Sequence, residues 1–412
     1  MHHFDYKDGV LFAEDANVTA LAEEYGTPLF IYSAATLKRH FHAFDSAFDG
    51  LDHLTCYSVK ANSNLSVLKL LAELGAGMDI VSGGELYRAL KAGVAPEKIV
   101  YSGVGKRASE IREALTAGIL MFNVESVAEL LKINEVAGEM NTVAKVSFRI
   151  NPDVDPQTHP YISTGMEKNK FGLDVERSLD AYKMTADLEH IKPIGMDCHI
   201  GSQLTSIDPF LEALEKLLNF YEKLKDLGMD IQYLDLGGGL GIQYEEEEPP
   251  HPTQFGLALQ NMLTGLPLKV ILEPGRVIAG NAGIMVTEVV YTKSNPTKNF
   301  LIVDGAMNDL IRPSLYGSYH RIAEVEPQGR ASKLFDVVGP VCESGDFFAR
   351  DRELPNVVEG ERLALFSAGA YGFTMASNYN SRPRACELLV EGETVTVARK
   401  RETYEDLVDK EL

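Results

Sequence analysis

Short apolar runs alternate with amphipathic segments between about residue 54 and residue 275. The runs are rich in Val, Ile and Tyr, which is typical of parallel strands covered on both faces. Segments with a helical period separate them, and several of these end at a glycine, as helices often do. In chain order the apolar runs are LTCYSV, GMDIVS, KIVYSG, LMFNVE, AKVSFRI, PIGMDCHIG, QYLDLGGG and KVILEPG.

Eight strands joined by helical crossovers predict a (β/α)8 barrel. A doubly wound open sheet is the structural alternative. After Arg276 the helical period nearly disappears, and strand-like runs with turn residues between them predict a second, all-β domain. We therefore expect an α/β protein in which residues 31–276 form the barrel and residues 277–412 form the β domain. Residues 1–30 are expected to join the β domain.

The composition restricts the partners and the location. The 412 residues carry a net charge of −21, which argues against nucleic acid or an anionic membrane as a partner. We find neither a signal peptide nor an apolar run of membrane-spanning length. The four cysteines lie far apart without a C-x-x-C pair, which favours reduced thiols and a cytoplasmic location. The acidic stretch YEEEEPPHP, residues 244–252, is predicted to be a solvated loop without chemistry.

Chemically distinct groups follow several of the predicted barrel strands. Lys60 ends the first strand, in TCYSVKAN, and His199 ends the sixth. A glycine-rich stretch, GGGLGI, ends the seventh strand, and Glu273 ends the eighth. Barrel enzymes carry their reactive groups at the C-terminal ends of the strands, so we expect these groups at one end of the barrel.

The stretch GGGLGI permits two interpretations. It is not a dinucleotide fingerprint, because Ile242 occupies the place of the third glycine, and it lacks the lysine of a P-loop. It is either a tight turn or a phosphate-binding loop after strand seven. A lysine, a phosphate loop and an acid together favour pyridoxal phosphate as cofactor, since that group requires a Schiff-base lysine, phosphate donors and an acidic partner for its ring nitrogen.

Six motifs, YSVKAN, HIGSQ, GGGLG, EPGR, CESGD and GAYG, occur in this order along the chain. Together they resemble the alanine racemase-like group of pyridoxal-phosphate enzymes and, within it, the diaminopimelate decarboxylases. The resemblance covers nearly the whole chain. It implies a carbon–carbon lyase with a barrel, a C-terminal β domain, and a homodimer whose active sites are shared between subunits.

The resemblance also implies a role for individual residues. Lys60 would be the Schiff-base lysine, His199 would stack on the ring, and Glu273 would contact the ring nitrogen. Asp79 would support the cofactor, and the partner subunit's Cys342 would return a proton to the substrate. The residues expected around the phosphate or its approach are Ser202, Gly239, Gly241, Gly275, Arg276 and Tyr371.

The distal end of the substrate distinguishes members of this group. A guanidinium fork suits a second carboxylate, and Arg312 and Tyr316, in NDLIRPSLYGSYH, match the positions of that family that bind it. Arg276 and Tyr371 would join them, and the partner subunit's Glu343 would bind the distal ammonium. The implied reaction is decarboxylation of meso-2,6-diaminopimelate to L-lysine and carbon dioxide, the last step of lysine biosynthesis. Residues 159–173 resemble the loop that covers this family's site.

Other interpretations stay open at this point. The substrate could instead be ornithine, arginine or carboxynorspermidine, or the protein could bind the cofactor without catalysis. A racemase of the same group would need a second base, typically a tyrosine, where this chain has Cys342. Cys198 and His199 lack further metal ligands at suitable spacing. Three cysteines are predicted to be core residues: Cys56, Cys198 and Cys386.

Overall fold

The computed structural model describes residues 2–155 and 170–411, which form two compact units. The first, here called the barrel unit, consists of Phe41–Ile242 and Glu248–Val277. The second, called the strand unit, consists of Met1–His40, Gln243–Glu247 and Ile278–Leu412. The loop expected over the site, residues 159–173, lies largely outside the described residues. The domain boundaries drawn from the sequence stay a prediction about which segments fold independently.

The helices and strands have the following bounds. The strands are β1 (Phe4–Lys7), β2 (Val10–Ala13), β3 (Ala16–Asn17), β4 (Leu29–Ser33), β5 (His53–Ser58), β6 (Gly77–Ile80), β7 (Ile99–Tyr101), β8 (Met121–Val124), β9 (Ala144–Arg149), β10 (Ile191–Asp197), β11 (Tyr233–Asp235), β12 (Lys269–Leu272), β13 (Gly283–Ser294), β14 (Asn299–Val303), β15 (Ile322–Glu324), β16 (Ser332–Val338), β17 (Phe347–Pro355), β18 (Arg362–Leu365), β19 (Cys386–Glu391) and β20 (Thr394–Arg399). The helices are α1 (Val18–Tyr25), α2 (Ala34–Asp45), α3 (Leu65–Glu73), α4 (Gly83–Lys91), α5 (Ala108–Ala117), α6 (Val127–Glu139), α7 (Val175–Met184), α8 (Asp208–Asp226), α9 (Pro252–Leu263), α10 (Arg276–Ala279), α11 (Arg312–Tyr316) and α12 (Tyr404–Val408).

The barrel unit contains a closed barrel of the strands β5 to β12. All neighbouring strands are parallel, and β12 closes the barrel by pairing with β5. The prediction of a (β/α)8 barrel is therefore confirmed, and the open-sheet alternative is wrong. Between β11 and β12 lies the helix α9, which begins at Pro252 and is capped by the His251 side chain.

The barrel interior is apolar in its middle and polar near one end. Buried side chains from different strands pack together, among them Cys56, Met121 and Ile271. Burial of such a layer supplies the main driving force for closing the barrel. Because parallel strands share one direction, closure brings their C-terminal ends, and the polar residues after them, to the same end of the barrel.

The strand unit is built around the twelve-residue strand β13. β13 pairs with β4, β14 and β18, and the sheet runs in the order β17-β16-β14-β13-β4-β19-β20. The chain before β4 adds a separate meander of β1, β2 and β3. The C-terminal part is mostly strand, as predicted. Among the described residues we find no helix with the length and apolar character needed to cross a membrane.

Candidate active site

The amine predicted from TCYSVKAN lies directly after the first barrel strand. β5 ends at Ser58, and Lys60 follows in a single 3-10 turn, Val59–Ala61. The Nζ atom of Lys60 is 2.7 Å from Oδ2 of Asp79, which follows Met78 on β6. The Asp79 side chain is fully buried, whereas that of Lys60 is 36% exposed. The ion pair therefore holds an accessible amine at the C-terminal end of the barrel.

Glu273 follows the last barrel strand and lies within a buried polar network. Oε1 of Glu273 is 3.4 Å from Oγ of Ser102 and 3.5 Å from Nδ2 of Asn123. The same Asn123 Nδ2 atom donates to Oδ2 of Asp235 at 3.0 Å. The Asn123 Oδ1 atom accepts a hydrogen bond from the Ser147 hydroxyl at 2.6 Å. Neutral hydrogen-bonding groups thus separate two buried carboxylates.

Burial perturbs the acids of this network strongly. Burial, together with the charges of Asp235 and Asp79, raises the pKa of Glu273 well above its usual range. Burial and then the charge of Asp197 raise the pKa of Asp235 to about 8. Burial, followed by the charge of Glu273, raises the pKa of Asp197 well above its usual range. This end of the barrel therefore favours either retained protons or an incoming cation.

His199 is fixed through its backbone and its ring. Nδ1 of His199 accepts the N–H of Gly238 at 3.1 Å, so the Nε2 atom carries the ring proton of a neutral imidazole. Burial, then the charges of Arg149 and Lys60, lower the pKa of His199 well below its usual range. Nη2 of Arg149 donates to the His199 carbonyl at 3.1 Å, and Nη1 pairs with Oε1 of Glu125 at 3.0 Å.

The glycine-rich stretch packs too tightly to accept side chains. A Cβ atom added at Gly238 would lie 2.1 Å from the carbonyl oxygen of Glu273. At Gly239, where φ is +123°, it would lie 2.4 Å from the carbonyl of Gly201. Backbone bonds between Leu204 and Gly239, 2.9 Å, and between Gly241 and Leu204, 3.0 Å, join this loop to the one after β10. The two interpretations left open from the sequence are thus compatible: the loop turns tightly and presents backbone at the strand ends.

Arg276 begins α10 directly after the EPG sequence that follows β12. Its Nη2 atom is 3.1 Å from Oγ of Ser202, a residue of the HIGSQ motif. The preceding Gly275 packs closely against the turn after β5, because a Cβ atom there would lie 3.0 Å from both the Ser58 and Ala61 Cβ atoms. The structure therefore brings together the barrel residues that the sequence analysis singled out.

The predicted residues outside the barrel belong to the strand unit. Arg312 is buried at the start of α11, and Tyr316 ends the same helix. The Arg312 guanidinium donates to Nε2 of His320 at 2.9 Å and lies 4.6 Å from the centre of the Tyr244 ring. Tyr371 adopts a φ of +56°, a conformation that an L-residue rarely takes.

Cys342 and Glu343 are exposed on the loop between β16 and β17. Buried Asp346 organises this loop by accepting the N–H groups of Val341 and Met307, each at 2.7 Å. The hydroxyl of Tyr379 donates to Glu343. The prediction that the three other cysteines are core residues is confirmed, since each of them is buried. Among residues 2–155 and 170–411, no cluster of His, Cys, Asp and Glu is arranged to hold a metal ion.

Sequence reasoning missed several residues that shape the site. Asn123, Arg149 and Asp235 lie inside predicted strands, where the periodicity indicates only burial. The stretch 244–252 is predicted to be a solvated loop, and residues 245–251 are an exposed or half-buried loop, but Tyr244 is an exception because its ring is buried against Arg312. The one signal available was charge: Arg149 and Asp235 are ionisable residues within otherwise apolar runs, as Lys60 is.

Comparison with known proteins places this site in a class. A profile of the family described as "Pyridoxal-dependent decarboxylase, pyridoxal binding domain" matches residues 34–280. The match includes the barrel residues described above, from Lys60 to Arg276. The chain is therefore a pyridoxal-dependent decarboxylase, a carbon–carbon lyase whose cofactor is pyridoxal phosphate.

Full-length relatives define the family within that class. The diaminopimelate decarboxylase of Aquifex aeolicus is 52% identical over 411 residues, which cover 100% of this chain and 97% of the relative. The structure of diaminopimelate decarboxylase from Helicobacter pylori complexed with L-lysine is 45% identical, with a TM-score of 0.93 and coverage of 96% and 99% of the two chains. That from M. jannaschii in co-complex with L-lysine is 41% identical, with a TM-score of 0.95 and coverage of 100% and 99%. The chain belongs to the diaminopimelate decarboxylase family.

Proposed function

We propose that this protein removes one carboxylate from meso-2,6-diaminopimelate, with L-lysine and carbon dioxide as products, in the last step of lysine biosynthesis. The observation that carries this proposal is the grouping of Lys60, His199 and Glu273 at the C-terminal end of one barrel. Full-length relatives with the same name support it, as does L-lysine in the Helicobacter pylori and M. jannaschii structures.

The donor set at the end of the barrel suits pyridoxal phosphate. Lys60 supplies a primary amine for the aldehyde, and Oδ1 of Asp79 is a buried acceptor without a hydrogen-bond partner among the described residues. Glu273 is a desolvated acid whose raised pKa makes a basic ring nitrogen a suitable partner for its proton. Ser202 and Arg276 offer a hydroxyl and a guanidinium for the phosphate, beside the backbone of Gly239, Gly241 and Gly275.

The chemistry divides between the cofactor and the chain. When bound, pyridoxal phosphate supplies an electron-withdrawing ring that stabilises the charge left after the carboxylate departs. Asp79 orients the Lys60 amine, and Glu273 would be the acidic partner of the ring nitrogen that keeps this nitrogen protonated. His199, neutral and held by Gly238, presents an imidazole plane without adding a competing cation.

The distal half of the substrate requires recognition of a second amino-acid centre. We assign its carboxylate to Arg312, Tyr316 and Arg276, with Tyr371 beside them, and its ammonium to the partner subunit's Glu343. The partner subunit's Cys342 holds a proton on Sγ and delivers it to the substrate carbon from which the carboxylate has left. Its exposed position on a loop organised by Asp346 supports access by a second chain.

This assignment requires a homodimer with shared active sites, which we propose as the functional assembly. We also propose a cytoplasmic location, supported by four cysteines that are all free. Within the chain, residues 31–276 are proposed as the cofactor-binding domain and residues 277–412, with residues 1–30, as the β domain.

Release of carbon dioxide from matched substrates tests the proposal directly. Purified holoprotein is incubated separately with meso-diaminopimelate, ornithine, arginine and carboxynorspermidine, and carbon dioxide and the amine products are quantified. We expect release from diaminopimelate, with L-lysine formed in equal amount. Preference for another substrate would contradict the assignment of Arg312. A change in optical rotation without carbon dioxide, such as the appearance of rotation from the optically inactive meso-diaminopimelate, would identify a racemase.

A further inference from the structure

We propose that His320 is a positioning residue that determines specificity, because it holds the Arg312 guanidinium in the orientation needed to bind a carboxylate. This inference rests on the proposed function, in which Arg312 binds the distal carboxylate of the substrate. His320 does not touch the substrate in this scheme. It acts through Arg312, and its effect is therefore confined to ligands that carry the distal carboxylate.

The contact between the two residues is buried and specific. Nη1 of Arg312 lies 2.9 Å from Nε2 of His320, and Nδ1 of His320 lies 2.8 Å from the carbonyl oxygen of Phe366. His320 is completely buried and Arg312 is 4% exposed. Arg352 donates to the His320 carbonyl at 2.9 Å, so the backbone of His320 is also held. The carbonyl of Phe366 therefore holds one edge of the imidazole, and Arg352 holds the backbone that carries it.

These contacts determine the protonation state and the tautomer of the His320 imidazole. A guanidinium has only N–H donors, so Nε2 of His320 must accept the bond from Arg312. A backbone carbonyl only accepts, so Nδ1 must carry the hydrogen and donate to Phe366. Only the neutral ring with its hydrogen on Nδ1 satisfies both contacts, since an imidazolium has no acceptor nitrogen.

Tyr244 constrains the guanidinium from a second direction. Its ring centre lies 4.6 Å from Cζ of Arg312, and its ring packs edge-on against His320 with 5.7 Å between the centres. A guanidinium stacked on an aromatic face and bonded at one edge has little rotational freedom. Neither the neutral His320 nor the Tyr244 ring carries a negative charge. The two contacts therefore orient the Arg312 guanidinium without themselves forming an ion pair with it.

Two substitutions at position 320 separate the two hydrogen bonds of the imidazole. His320→Asn places an amide N–H near the Nδ1 position and retains a donor to Phe366, but it offers no acceptor to Arg312. His320→Gln reaches the Nε2 position and restores an acceptor for Arg312. If His320 acts by accepting from Arg312, the Gln variant should recover function that the Asn variant loses.

Affinity for two ligands that differ in one carboxylate provides the measurement. L-Lysine and cadaverine are titrated into the holoprotein by calorimetry, since only L-lysine carries a carboxylate. We expect His320→Asn to weaken L-lysine binding by about 10–100-fold, the effect of losing one hydrogen bond to a charged group. Cadaverine binding should be unchanged. His320→Gln should restore most of the affinity for L-lysine.

The controls distinguish failure of this inference from failure of the proposed function. Arg312→Met should weaken L-lysine selectively, and if it does not, the proposed role of Arg312 is wrong. If Arg312→Met is selective but His320→Asn binds L-lysine normally, the positioning role of His320 is refuted. Equal loss of both ligands in the Asn variant, with a lower unfolding temperature, would show a merely structural role and would also overturn the inference.

Discussion

The buried ion pair between Arg149 and Glu125 allows a sharp prediction about the stability of the barrel. The atoms Nη1 and Oε1 are 3.0 Å apart, and the two side chains are 8% and 2% exposed. Burial alone would lower the pKa of Arg149, but the nearby charges of Glu125 and Asp197 raise it, so the guanidinium stays charged. Arg149→Met removes the cation while conserving much of the side-chain volume.

The expected loss of stability follows from the Glu125 carboxylate, which the substitution leaves buried without its cation. Glu125 would keep one hydrogen bond, from the N–H of Gly172 to Oε2 at 2.8 Å, and would otherwise be a buried carboxylate without its cation. Breaking a buried pair from one side typically costs about 3–5 kcal/mol. For a unit of this size that corresponds to a fall in unfolding temperature of about 6–20 °C.

The matched control removes both charges. In Arg149→Met/Glu125→Gln the amide oxygen can still accept from Gly172, and no unpaired charge remains, so we expect most of the lost stability to return. The assay is thermal unfolding of the holoprotein followed by far-ultraviolet circular dichroism, with hydrogen exchange of the β9 amides to report on the barrel itself. A double variant no more stable than Arg149→Met, or a single variant that unfolds like the wild type, would refute the reasoning.

Three further predictions concern the reactive groups. Lys60→Ala should abolish covalent attachment of the cofactor, measured by borohydride reduction and the mass of the intact chain, and reduced cofactor on this variant would contradict the assignment. Cys342→Ala should keep the cofactor but decarboxylate about 10²–10⁴-fold more slowly, the usual contribution of a general acid; near-normal turnover would mean that another group donates the proton. Burial raises the pKa of Asp235 to about 8 from an ordinary value of 3.8. Its contribution to the stability of the folded protein is therefore complete below the ordinary pKa of 3.8 and is lost as the pH rises through the folded-state pKa of about 8. Asp235→Asn should therefore reduce the loss of stability between about pH 5 and about pH 8, measured as urea midpoints of the protein without cofactor, whereas an unchanged pH dependence would assign that loss to other groups.

The polar interior of the barrel shows where sequence reasoning reaches its limit. Asn123 donates to Asp235, although the two residues are 112 positions apart in the chain. Hydrophobic periodicity predicts that both positions are buried and that both lie in strands. Periodicity does not indicate which polar side chains contact each other inside the closed barrel, because those contacts depend on the register of the strands and on barrel closure.

The same limit applies to the residues around Arg312. His320 lies only eight positions from Arg312, and both are in the stretch NDLIRPSLYGSYH, yet the sequence indicated no bond between them. Tyr244 belongs to an acidic, proline-rich stretch whose composition predicts a solvated loop. Its burial follows from packing against a distant segment of the strand unit, which local composition does not describe.

The sequence by itself determined the eight strands, their crossovers, and the positions of Lys60, His199 and Glu273 at strand ends. These features are local: a strand's period, its direction and the residue that follows it are all contained in a few consecutive positions. Only the tertiary structure decided which groups interact through charge, such as Glu273 with Asp235, and which also form hydrogen bonds, such as Arg149 with Glu125 and Arg312 with His320. Those contacts depend on distances and burial, which arise when the barrel closes and the strand unit packs, and they set the chemistry that each residue can perform.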